Sequence, residues 1–69
     1  HRVEHLDVEA PLNAFMLLVK TKDFSQVPVL ENGRYIDMLT LGRLARWIAE
    51  NRHYDWFDLS ETPIRRVLE

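Results

Sequence analysis

The chain contains no cysteine among its 69 residues. That absence removes the disulfides that usually hold secreted domains of this size, along with thiolate zinc sites and cysteine nucleophiles. With 2 glycines and 3 prolines, the chain has no flexible linker composition, and no low-complexity segment or internal repeat interrupts it. No run of about 18 apolar residues is present, and the N-terminus lacks a charged segment followed by an apolar stretch and a small-residue cleavage site. Neither a membrane span nor export is expected, and a cytoplasmic setting is. A surplus of one charge is missing too: 9 Lys and Arg stand against 11 Asp and Glu, a formal net charge of −2. Nothing in that balance draws the chain to phosphate backbones or anionic lipid, so nucleic acid and membrane are not expected partners.

What remains is a small, 46% hydrophobic chain with room for one compact unit and no deep enclosed cleft. A chain this short buries only about 60% of its unfolded surface. It begins at His1 instead of Met, which suggests a fragment of a longer protein or a processed chain.

Residues 3 to 8 read as a short half-buried strand, with Leu6 and Val8 separated by Asp7. Pro11 suits a first helical turn, where its missing N–H has no partner in any case, so a helix is expected to open near Ala10 or Pro11. Leu12, Phe15, Met16 and Val19 recur at helical spacing, while Ala14, Leu17 and Leu18 fill most of the remaining circumference. The run from 14 to 19 also fits a six-residue strand, although Pro11 and the spacing favour helix. A helix apolar nearly all round is expected to pack one face on its own sheet and another on a second protein unit, which makes Phe15, Leu17 and Leu18 candidate interface residues.

Lys20, Thr21, Lys22, Asp23 and Ser25 read as a polar exit loop. Val27, Pro28, Val29 and Leu30 follow as a strand, at an edge, at its own start or beside a bulge because of the proline. Asn32-Gly33 predicts a type I′ turn, which completes a hairpin over residues 27 to 40. Thr40 is a competent N-cap for a second amphipathic helix carrying Leu41, Leu44, Ala45 and Ile48 and running to Asn51 or Arg52. His53 to Asp58 forms an aromatic and acidic stretch without period, expected to be a loop whose aromatics cover a core edge. Thr62-Pro63 then predicts an N-cap and first helical position, with Ile64, Val67 and Leu68 on one side.

The order strand, helix, hairpin, helix, with Ala10-Pro11-Leu12 opening the first helix, Val27-Pro28-Val29, Asn32-Gly33, and Ile36-Asp37-Met38-Leu39-Thr40 before the second, resembles the CBS motif, named after cystathionine beta-synthase. The resemblance covers residues 2 to 52. Residues 53 to 69 read as a linker and the lead-in to a second motif. It implies an α/β fold, a small sheet packed against helices, and a tandem partner motif or a homodimer copy. It also implies a regulatory role, in which AMP, ATP or S-adenosylmethionine binds between motifs. On that resemblance Thr40 takes the hydroxyl position at the ligand, and Leu6, Val8 and Val27 are adenine-facing candidates. Arg43 stands where an Asp holds the ribose hydroxyls, and Asp37 stands where a small glycine is usual. A guanidinium only donates, so Arg43 does not reproduce that ribose contact. It either binds a phosphate or is a solvated helix residue paired with Asp37 or Glu50.

Other constellations are weaker. His1, His5 and His53, with Glu4, Asp7, Asp55 and Asp58, match no tight metal-ligand spacing, and no metal is expected. Asp55 and Asp58 form a carboxylate pair without a nucleophile or oxyanion donors, so no catalysis is expected. Arg43, Arg46 and Arg52 read as a solvated helix face. Trp47, Tyr54, Trp56 and Phe57 cover the core edge or form a partner surface, with Trp47 the interface candidate. Burial at about 25 cal/mol per Å² against about 1.5 kcal/mol of ordering entropy per residue leaves so small a unit near zero net stability. Two functions stay open: sensing of an adenosine-containing ligand, or dimerisation and docking with a degenerate ligand site.

Overall fold

A computed structural model describes residues 4–69. His1 and the expected strand start at Val3 lie outside the described residues. The elements run β1 (Leu6–Asp7), α1 (Leu12–Lys22), β2 (Gln26–Glu31), β3 (Arg34–Thr40), α2 (Leu41–Glu50), α3 (Trp56–Glu61) and α4 (Ile64–Leu68). The sheet order is β1-β2-β3, with β1 parallel and β3 antiparallel to β2.

The hairpin follows from its turn. Asn32 and Gly33 take φ of 55° and 78°, the pair of positive values that a type I′ connection requires. Beyond it the register changes between Val29 and Leu30, which face Asp37 and Tyr35 and leave Ile36 as an extra residue. Pro28 lies in the middle strand, yet it breaks no ladder. Leu30 accepts a hydrogen bond from the Val8 N–H on the β1 side, and Pro28, two residues earlier, directs its nitrogen the same way. Since β1 pairs only with Val29 and Leu30, that side is free at Pro28.

α1 begins at Leu12, after Pro11 in an extended conformation, and it continues through Lys22 where a loop was expected. Lys20 and Lys22 favour its negative end, Thr21 Oγ1 donates to Leu17 O, and Asp23 closes the helix at φ 59°. α2 is capped as expected, with Thr40 Oγ1 accepting from Arg43 N at 3.0 Å, and it ends at Glu50.

The segment following α2 corrects the sequence reading. Residues 56–61 form a helix because Asp55 Oδ1 accepts from Asp58 N at 2.8 Å, an N-cap with an acidic residue in the first turn. Trp56 and Phe57 are 62% and 70% exposed and so cover no core edge. Thr62 is the C-cap of α3, its hydroxyl donating to Asp58 O, and Pro63 takes the N-cap place of α4 that had been expected of Thr62.

The core joins Val8, Leu12, Phe15, Val27, Val29, Leu39 and Leu44 with Ile64 and Val67 of α4. Residues 62–65 lie against 8–12 through Leu12 N to Thr62 O, Ile64 N to Ala10 O and Arg65 N to Val8 O. Arg65 adds ion pairs to Glu31 at 2.6 Å and Glu9 at 2.7 Å, which hold its guanidinium well above its ordinary range. Phe15, a candidate interface residue, is fully buried in this core. Its place on the i, i+3 row with Leu12 turns it inward.

A Phe15→Ala substitution is therefore expected to cost about 3–5 kcal/mol, enough to unfold much of a chain this small. Leu17→Ala, on the exposed side of the same helix, is expected to stay within about 0.5 kcal/mol of the parent. Urea denaturation followed by circular dichroism distinguishes the two.

Candidate functional site

The junction between β3 and α2 brings together the three polar residues that the sequence singled out. Thr40 ends the strand and caps the helix, which fixes the first turn of α2 and with it the backbone of Arg43. From there Arg43 reaches back along the strand. Its Nη1 donates to Asp37 Oδ1 at 3.0 Å and to Met38 O at 3.3 Å. Asp37 Oδ1 also accepts from Met38 N at 2.7 Å. Asp37 Oδ1, Arg43 Nη1 and both main-chain groups of Met38 are thus joined in one cluster. Of the partners considered for Arg43, it is Asp37 that pairs with it, and the side chains of the two are 38% and 40% exposed.

The apolar candidates do not join this cluster. Val8 and Val27 are 2% and 0% exposed, taken up by the chain's own core, and offer no surface to an adenine ring. Leu6 is half-buried on β1, opposite Val29. That places it two strand spacings from β3, about 10 Å across the sheet.

Two concavities flank α2. One, of about 190 Å³, is bounded by Arg43, Arg46, Trp47 and Glu50 with Val67 and Glu69 of the C-terminal segment. Trp47 packs against the core and meets Tyr54 edge-on, with ring centroids 5.4 Å apart, so its indole is held in place. The other, of about 220 Å³, is an apolar groove between α1 and α2 lined by Met16, Val19, Leu41, Leu44, Ala45 and Ile48, with Lys20 at its border. Leu41 is 45% exposed beside it, and Leu17 is 57% exposed on α1, whereas Leu18 packs partly against the core. A third hollow, between Leu17 and Met16 of α1 and Trp56 of α3, adds apolar surface that sequence reasoning missed. Its signal was the spacing of Asp55 and Asp58, which marks a helix cap.

Among the described residues no three histidine or acidic side chains converge as a metal group would need, and no helix is long and apolar enough to cross a membrane.

The Asp37 carboxyl is held below its ordinary 3.8, first by the Met38 N–H and then by Arg43. A lowered value in the folded state contributes stability above pH 3.8 that is lost as pH falls through the folded value. In Asp37→Asn that contribution is absent. The stability difference between parent and variant is therefore expected to shrink as pH is lowered below 3.8, and urea midpoints across an acid series measure it.

No family model and no curated protein matches this sequence. A solved structure does: the chain is similar to the crystal structure of a CBS domain protein from Streptococcus pneumoniae TIGR4, with a TM-score of 0.78 at 15% identity over 96% of this chain. The chain spans 43% of that protein's length. The fold of this chain is that of the CBS domain.

Proposed function

We propose that the chain is a non-catalytic regulatory module that works by docking, its α1–α2 face receiving a second CBS-type motif or another copy of itself. The apolar groove between α1 and α2 carries this reading. It is lined almost wholly by apolar side chains, and Leu41 stands exposed in it. Covering such a surface removes apolar area from water at about 25 cal/mol per Å², and a chain of 69 residues has little other stabilisation in reserve. Leu18 and Trp47 both pack partly against the core beneath this face. In isolation the expected partner is a second copy. Sedimentation at tens of micromolar is expected to show a dimer, and Ala45→Glu, which sets a charge at the groove, is expected to return the chain to monomer without loss of helix content. A parent chain that is monomeric throughout that range overturns the reading.

A second reading, sensing of an adenosine-containing ligand such as AMP, ATP or S-adenosylmethionine, is favoured by a separate observation: the hollow beside α2 sets Arg43 and Arg46 next to the indole of Trp47. Guanidinium groups suit phosphate, and an indole face suits a base. Against it, Arg43 already serves Asp37 and Met38, and Glu50 and Glu69 share the hollow. Ligand at about 100 times its dissociation constant adds roughly 2.7 kcal/mol, each kcal/mol raising the midpoint by about 4–8 °C in a domain of this size. A midpoint rise with one of these ligands at millimolar concentration, absent in Arg43→Ala, would support sensing. No rise with any of them leaves docking alone.

A further inference from the structure

Among the described residues β3 is the last strand of the sheet, and no other strand pairs along its outer side. Which of its residues present main-chain groups there follows from Pro28. Because Pro28 directs its nitrogen toward the β1 side, its partner Met38 is in a non-hydrogen-bonded pair, and the N–H and C=O of Met38 point to the free edge. Those are the two groups that the side chains claim: Asp37 Oδ1 takes the N–H at 2.7 Å and Arg43 Nη1 takes the C=O at 3.3 Å, with the two side chains joined at 3.0 Å. Further along the same strand Tyr35 and Ile36 are 60% and 43% exposed. An edge with free ladder groups beside exposed apolar and β-prone side chains is a template for strand addition.

We infer that the Asp37–Arg43 pair guards the β3 edge, occupying the main-chain groups of Met38 that an added strand would need and so preventing a second copy of this chain from pairing there. A second copy is the partner at issue because its β3 presents the same groups. The guard depends on Thr40, whose cap on Arg43 N sets the start of α2 from which the guanidinium reaches back. It is separate from the α1–α2 groove, since neither Asp37 nor Arg43 lines that surface.

The test uses the full 69-residue chain, with Asp37→Ala, Arg43→Ala and the conservative Asp37→Asn, whose amide oxygen still accepts from Met38. Amide exchange of Met38 by NMR and sedimentation across concentration are the readouts. In Asp37→Ala the Met38 amide is expected to exchange about tenfold faster than in the parent, and the variant is expected to form concentration-dependent assemblies larger than those of the parent. Arg43→Ala is expected to associate likewise, and Asp37→Asn to behave as the parent. Adding Ala45→Glu is expected to leave this association in place, which separates it from docking through the groove. Unchanged exchange, unchanged association, or association that Ala45→Glu abolishes would each overturn the proposal.

Discussion

Two of the three strands in the sheet of the described residues are edges. An open edge leaves backbone groups without partners and invites other strands. The chain meets this constraint differently at its two sides. Near β1 the C-terminal segment supplies main chain: residues 62–65 bond to residues 8–12, and Arg65 ties Glu9 and Glu31 to the same spot. Near β3 no further strand pairs among the described residues, and side chains take the place of one, with Asp37 and Arg43 satisfying Met38. The core depends on the first solution, since Ile64 and Val67 reach Val8, Leu12 and Phe15 only because α4 is held there.

The same economy shapes the candidate site. At the head of α2 an acidic residue would be free to accept hydrogen bonds from a ligand, whereas an arginine is a donor in want of acceptors. Arg43 finds them within the chain, in a carboxylate and a carbonyl six and five residues away. Exposed ion pairs contribute little stability, about 0–1 kcal/mol, so the pair is better understood by what it occupies than by what it adds. The apolar surface lies elsewhere, between the helices, where Leu41 and Ala45 face a groove that the chain itself leaves uncovered.

Features set by residues close in the chain were legible from it. Asn32-Gly33 specifies its turn through positive φ at two adjacent positions, and Thr40 specifies a helix start through one bond to a residue three places on. Asp55 does the same for α3, but its signal was hidden among aromatics whose pattern suggested a loop. Arg43 and Asp37 were recognisable as unusual residues, and their pairing was among the readings open to them. Their grip on Met38 was not legible, because it depends on the direction in which Pro28 points across the ladder.

By itself, then, the sequence determined the local turns, caps and most helix positions, because each rests on hydrogen bonds and torsions spanning a few residues. Only the tertiary structure decided which side of α1 faces inward, burying Phe15 and leaving Leu17 in solvent. A helix apolar nearly all round carries no preference until a sheet lies against it. The same holds for Val8 and Val27, which are apolar enough for either a ligand or a core. The packing of α1, α4 and the hairpin assigns them to the core, since burial is a property of what surrounds a side chain and not of the side chain alone.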